Sequence, residues 1–373
     1  MSYHRVVVKV GTSSLTNSEG RLDKDYMAKL SSEICRAMNA GHEVILVSSG
    51  AIAVGLEMLE TRQIKPTTWD LPEKQATAAV GQGILMSAYI SAFHSHQIIA
   101  AQVLLTREDL ADRSRFLNAR NTLTMLLAMG ALPIINENDT VAVDEIKFGD
   151  NDSLAAHVAV LTDADILIIL SDVDGVYAQP PSTSNCEPPV LLRTIRKVDD
   201  NILRVAGGAG SKRGTGGMIT KIEAARIAGT GGIATVIAQA RRERVLDDIL
   251  AGESVGTMIL PRKSVLRGRR KWIAAGSHPR GVVIVNEGAA RKIRTDNVSL
   301  LAVGITEVRK RFASGDLIEI YDANGNRLAR GLTNYSSEEL DLIKGRRSEE
   351  IELILGYKYY EEVIHRDNLV VFA

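Results

Sequence analysis

The apolar residues of the chain fall into short β-branched runs separated by longer stretches with helical spacing. VVVKV (6–10), VILV (44–47), PIIN (133–136), ILIIL (166–170) and ATVIA (234–238) are almost continuously hydrophobic, the pattern of strands buried on both faces of a parallel sheet. Between the first two, Tyr26, Leu30, Ile34 and Met38 recur every four residues and the stretch stops at Gly41. That spacing predicts an amphipathic helix closed by a left-handed glycine. Strand, helix, strand is the repeating unit. It predicts an α/β fold, a three-layer αβα sandwich with a mostly parallel sheet, whose ligands sit beyond the carboxyl ends of the strands.

From about residue 258 the pattern changes. PRKSVLRGRRKWIAAG carries Arg262, Lys263, Arg267, Arg269, Arg270 and Lys271 and no acidic residue, the composition of a solvated connector. The expected organisation is therefore a large unit over 1–258, a basic linker over 259–277 and a small β-rich unit over 278–373. In the last, GVVIVN, SLLAVGI and DLIEIYDANGNRLARG are short strand patterns, and Asn324-Gly325 signals a hairpin turn. AQPPSTSNCEPP (178–189) holds four prolines, which exclude a central strand and predict a surface loop.

Composition narrows the function classes. Lys plus Arg and Asp plus Glu are 45 each in 373 residues, so no global field draws the chain to nucleic acid or anionic lipid, and any polyanion binding is local. Cys35 and Cys186 form no CxxC pair, which fits a reduced compartment. The N-terminal apolar run is broken by Lys9, and no stretch is expected to reach the ~18 apolar residues of a membrane span. Cytoplasmic localisation without membrane contact is the expectation.

Four polar clusters interrupt the strand–helix pattern. Lys9-Val10-Gly11-Thr12-Ser13 follows the first strand with a cation, a glycine turn and hydroxyls, a composition suited to phosphate. Ser48-Ser49-Gly50-Ala51 opens a helix after the second strand; free N–H groups there favour an anion, while the plainer reading makes Ser49 an N-cap. Asn136-Glu137-Asn138-Asp139-Thr140 and Gly149-Asp150-Asn151-Asp152 concentrate amides and carboxylates. Asp150 or Asp152 is a natural helix cap, but together the amides and carboxylates match both ends of a free amino acid. Gly214-Thr215-Gly216-Gly217-Met218-Ile219-Thr220-Lys221 is a glycine loop feeding a helix with a Lys in its first turns. It is not a Walker loop, because no Gly in the chain precedes a Lys. Of the remaining signals, His94 and His96 read as surface residues and Met125, Leu126, Leu127 and Met129 as helix core. His365-Arg366-Asp367 lacks the Asn that a protein-kinase catalytic loop needs, since Phe372 stands in its place.

The ordered set VVVKVGTS, SSGAIAVG, INENDTVAVDEIKFGDNDSLAA, LSDVDGVY and GTGGMITK resembles the glutamate 5-kinases of the amino-acid kinase family, over residues 1 to about 260. From about 278, GDLIEIYDANGNRLARGLTNYSS and LGYKYYEEVIHRDNLV resemble a PUA domain. The resemblance implies ATP-dependent phosphorylation of the γ-carboxylate of L-glutamate to L-glutamyl 5-phosphate, the first step of proline biosynthesis, with feedback inhibition by proline. It implies that ATP is bound near Lys9, Ser171, Asp172, Thr215, Gly216, Gly217, Met218, Ile219, Thr220 and Lys221, with Mg2+ carried by its phosphates and no protein metal site. Ser49, Asp139 and Asn151 would take glutamate, while Lys9 and Lys221 flank the transferred group and Asp152 orients both lysines. A homo-oligomer is implied, as is glutamate-5-semialdehyde dehydrogenase as functional partner. Arg309-Lys310-Arg311 departs from similar PUA domains, which often hold a glycine in that stretch, and predicts a different turn. Two alternatives stand beside this reading: another acyl-phosphate kinase of the same family, and an RNA-binding protein acting through the PUA domain.

Overall fold

The computed structural model describes residues 3–64, 67–142, 151–178, 190–199, 202–203, 217–261, 273, 279–296, 298–358 and 360–372. The chain forms two compact units, Met1–Val265 and Leu266–Ala373.

The first unit is built on β1 (Arg5–Val10), β2 (Glu43–Val47), β3 (Ala100–Leu105), β4 (Leu132–Glu137), β5 (Ile166–Ser171), β6 (Thr194–Ile195), β7 (Ala234–Gln239) and β8 (Thr257–Ile259). These pair in the order β3-β4-β2-β1-β5-β7-β8-β6, and every pairing is parallel except β7 with β8. The central four strands are the β-branched runs of the sequence, and the valines of β1 are almost fully buried. Burial on both faces is why those segments read as continuous runs. Alternation divides the strands between two layers: Val6, Val8 and Val10 share a core with α2 (Lys24–Asn39) and α4 (Leu71–His94). On the opposite face pack α7 (Asn151–Leu161) and α8 (Met218–Thr230). Helix α2 ends as the spacing predicts. Gly41 has φ +90, its N–H donates to Met38 O and the His42 N–H donates to Ala37 O, which closes the last turn.

Three expectations fail. Met125 and Met129 are 56% and 69% exposed at the end of α6 (Arg113–Ala128), so only Leu127 of that group is core. Ser49 does not cap the following helix α3 (Ala51–Thr61): the N-cap is Gly50 at φ +99, with no side-chain cap bond. And α4, 24 residues long, is apolar enough by length and composition to be a spanning candidate, although its Leu85, Tyr89 and Phe93 are committed to the core of the unit.

The second unit carries β9 (Gly281–Val285), β10 (Ile305–Arg309), β11 (Leu317–Asp322), β12 (Arg327–Leu332) and β13 (Leu369–Val371) in the order β10-β9-β11-β12-β13. The β11–β12 hairpin turns at Asn324-Gly325 with Gly325 at φ +82, and the Asp322 carboxylate accepts the N–H groups of Asn324 and Asn326. Lys310 takes φ +67. The backbone there occupies the left-handed region that glycine favours, with a lysine bearing the steric cost. The basic linker residues 262–271 and loop residues 179–189 lie outside the described residues.

Candidate active site

Four neighbouring strands, β4, β2, β1 and β5, end at one edge of the sheet, and their last residues or the turns after them carry the polar clusters. Lys9 is the penultimate residue of β1 and is only 2% exposed. It alternates with Val8 and Val10, so it lies on the side of α7 and α8. Its Nζ is 2.6 Å from Asp152 Oδ1, and Lys221 Nζ is 3.0 Å from Asp152 Oδ2. Asp152, in the first turn of α7, is fully buried. One carboxylate thus holds two ammonium groups from different elements. Cations held this way at a strand end suit an anionic group placed beside them.

The surroundings suit phosphate. Helix α8 begins at Gly217 with extended backbone and no side-chain cap, so its first N–H groups face whatever lies at the helix entrance. The Thr220 hydroxyl lies 3.0 Å from Asp152 Oδ2 and 2.8 Å from Gly217 O, which ties this entrance to the lysine pair. Met218 is half-buried and Ile219 is 43% exposed. At the end of β5, the Ser171 hydroxyl donates to the exposed Asp172 carboxylate at 3.0 Å. Thr215 and Gly216 lie outside the described residues, as do Gly149 and Asp150.

On the other side of Asp152 the hydrogen bonds run through amides and hydroxyls. The side-chain N–H groups of Asn151 donate to Ser48 O and, at 2.8 Å, to Asn136 Oδ1. Asn136 Nδ2 in turn donates to Gln82 Oε1 at 2.7 Å. The Ser48 hydroxyl donates to Ser49 O at 3.0 Å, so its 2.9 Å contact with Tyr89 is made by the Tyr89 O–H donating. Burial pushes the Tyr89 phenol up from its ordinary pKa, so it stays a donor throughout the physiological range. Ser49 is half-buried on the turn that this network holds, and Asp139 is half-buried in the segment after β4.

The structure therefore brings Lys9, Asp152 and Lys221 together as one cluster and sets Asn151 and Ser49 beside it. Gln82 and Tyr89 escaped the sequence reading. Both sit on α4, whose apolar composition reads as plain core, and the signal that would have found them is a pair of polar residues seven apart on one stripe of that helix.

Comparison with known proteins decides the family. The model of the amino acid kinase family matches residues 4–239, and that of the PUA domain matches residues 281–355. The chain belongs to the amino acid kinase family. Among curated members, the glutamate 5-kinase of Caldanaerobacter subterraneus is 49% identical over 98% of this chain and 97% of its own length. The glutamate 5-kinase of Moorella thermoacetica is 48% identical over 99% of this chain and 96% of its own. Among solved structures, UMP kinase from Bacillus anthracis shares the fold with a TM-score of 0.50, at 17% identity over 72% of this chain and 100% of that one. This amino acid kinase is thus an enzyme whose catalytic unit carries a β-rich PUA appendage.

Proposed function

We propose that the enzyme transfers the γ-phosphoryl group of ATP to the γ-carboxylate of L-glutamate, giving L-glutamyl 5-phosphate and ADP, as the first step of proline biosynthesis in the cytoplasm. Residues 1–258 would be the catalytic part and 278–373 the PUA part with its tail. The observation that carries the reading is the buried Lys9–Asp152–Lys221 cluster lying beside the hydrogen-bonded amides of Asn151 and Asn136. The names of the curated relatives point to the same substrate.

The chemistry asks little of the acceptor. A side-chain carboxylate with a pKa near ~4.3 is already ionised at neutral pH, so no base is required. The barrier is electrostatic: a carboxylate oxygen approaches the anionic γ-phosphorus while the bond to the β,γ-bridging oxygen breaks and charge grows on that oxygen. Lys9 and Lys221 would offset this charge from two sides, and Asp152 fixes their separation before the substrates arrive. The N–H groups at the start of α8, together with Ser171 and Asp172, would line the nucleotide phosphates. Ser49, Asp139 and Asn151 would hold the amino acid. Among the described residues no group of three or more His, Cys, Asp or Glu is spaced to hold a metal ion, and Asp152 is engaged by both lysines. Mg2+ would enter on the ATP phosphates.

Proline shares the α-carboxylate and amine of glutamate and would compete for the Ser49, Asp139 and Asn151 pocket. A homo-oligomer is favoured by β3, which lies at the edge of the sheet, and by the exposed side chains of Ile99, Met125 and Met129. The product is a labile acyl phosphate, suited to direct use by glutamate-5-semialdehyde dehydrogenase. RNA binding by the second unit gains little support, because Arg294, Arg309, Arg327, Arg330 and Lys344 are each paired with a carboxylate inside that unit.

ATP-dependent hydroxamate formation with hydroxylamine tests the reading. Glutamate is expected to give product that N-acetylglutamate and aspartate do not, with suppression by proline that high glutamate relieves. Product from another acceptor in preference to glutamate would overturn the substrate assignment.

A further inference from the structure

Three side chains on α4 reach the ends of β2 and β4 and the segment after β4 at seven-residue intervals. Gln75 Nε2 donates to Ala142 O at 2.9 Å, at the end of the segment that carries Asp139. Gln82 Oε1 accepts from Asn136 at the end of β4. Tyr89 O–H reaches Ser48 at the end of β2. Residues spaced by seven lie on one stripe of a helix, so a single element supports all three segments.

The middle contact has a direction. An amide has one accepting oxygen and one donating nitrogen, so a chain of amides transmits the orientation of its first member. Gln82 offers its oxygen to Asn136 Nδ2, and two backbone groups demand the same direction: the Glu137 N–H requires Asn136 to present its oxygen, and Ser48 O requires Asn151 to present its nitrogen. Asn136 Oδ1 accepts there from Asn151 Nδ2 and also from the Glu137 N–H at 2.9 Å. Both protons of Asn151 Nδ2 are then spent, on Asn136 and on Ser48 O. Asn151 is left to present its carbonyl oxygen Oδ1, the end that recognises an ammonium and not a carboxylate.

We propose that Gln82 is a positioning residue for the acceptor amino acid, locking through Asn136 the amide arrangement that the Glu137 N–H and Ser48 O set, with Gln75 and Tyr89 holding the adjoining segments. The inference rests on the proposed reading that an amino acid binds beside Asn151. Among the described residues no hydrogen bond joins Gln82 to the lysine cluster or to the start of α8, so its effect is expected on the acceptor alone.

The test is steady-state kinetics of the full-length enzyme with Gln82→Leu and Gln82→Glu. Loss of the accepting oxygen leaves an Asn136 N–H unmatched and loosens the asparagine pair, so Gln82→Leu is expected to raise the glutamate KM about tenfold, with the ATP KM within about twofold of wild type. Gln82→Glu keeps an accepting oxygen at the same place and is expected to restore the glutamate KM. A glutamate KM unchanged in Gln82→Leu, a parallel rise in both KM values, or a Gln82→Glu enzyme as impaired as Gln82→Leu each overturns the proposal. If Gln82→Leu does not fold, Tyr89→Phe, which removes a single oxygen, is read instead: a rise of about threefold in the acceptor KM alone supports the stripe, and no rise overturns it. Should the wild type phosphorylate a different carboxylate, the KM of that acceptor is read in the same variants. The substrate assignment can then fail while the positioning role is still decided.

Discussion

The two halves of the site solve opposite problems with opposite materials. On the side proposed for phosphate, three ionised groups are taken almost completely out of water and one carboxylate orders two cations. On the side proposed for the acceptor, amides and hydroxyls from α4, β4, α7 and the Ser48–Gly50 turn are linked in a chain. A developing negative charge needs concentrated positive charge held in place, and any displacement of it is costly. A zwitterionic substrate needs its two ends told apart, and directed dipoles do that at lower desolvation cost. The phosphate side should therefore fail abruptly on mutation and the acceptor side by degrees.

The largest effect that sharpens this contrast is expected from Asp152→Asn. It leaves two buried lysines without their shared counter-charge, so a stability loss of about 3–5 kcal/mol in urea unfolding should accompany the loss of turnover. A variant as stable as wild type would show that the cluster is not the rigid half.

Next comes Gly81→Ala, aimed at the acceptor side from a distance. Helices α3 and α4 cross at Gly55 and Gly81, where an added Cβ on Gly81 would overlap the Ala51 carbonyl and the Gly55 nitrogen. Ala51 is the first residue of α3, directly after the Ser49-Gly50 turn. The methyl is expected to cost about 1–3 kcal/mol of stability by overpacking. It should also raise the glutamate KM about tenfold or more with little change for ATP. Equal changes for both substrates would erase the distinction between the halves.

How the sequence displays the two halves follows from the same contrast. Lys9, Asp152 and Lys221 stand out as charges inside apolar or glycine-rich segments, and β1, β2, β4, β5 and β7 stand out as unbroken apolar runs. The long amphipathic helix is visible from Tyr26, Leu30, Ile34 and Met38, and its end from Gly41. Gln75, Gln82 and Tyr89 do not stand out, because a few polar residues on a long apolar helix look like its solvated side until their partners are known. Strand β3 is hidden for a related reason: AAQVLL is half-exposed at the sheet edge and lacks a continuous run. Ser49 reads as a helix cap by residue type, yet the left-handed Gly50 takes that place because the chain must turn sharply between β2 and α3.

A smaller effect concerns the approach to α4. Glu73 accepts the backbone N–H groups of Thr67, Trp69 and Thr68 and the Thr67 hydroxyl, which hold its carboxyl at about 2, below the ordinary 4.5. A folded pKa below the unfolded one gives stability that is complete above about 4.5 and is lost as the pH falls through about 2. Wild type should therefore exceed Glu73→Gln in denaturant resistance at pH 7, with the gap closing between about 4.5 and about 2. A gap independent of pH would refute this capping role.

The smallest effect lies outside the catalytic unit. Lys310 at φ +67 bears a left-handed backbone, and Lys310→Gly should stabilise the second unit by about 1 kcal/mol without altering turnover. Differential scanning calorimetry of the intact chain checks this, and an unchanged or lower transition would argue against strain at that turn.

The most direct test of the central claim is the turnover of Lys221→Ala at saturating ATP and glutamate, with the fold verified by circular dichroism. Loss of one preorganised cation is expected to lower kcat by about a hundredfold or more while the glutamate KM stays near wild type. A folded Lys221→Ala enzyme with wild-type kcat would contradict the assignment of the buried Lys9–Asp152–Lys221 cluster to phosphoryl transfer.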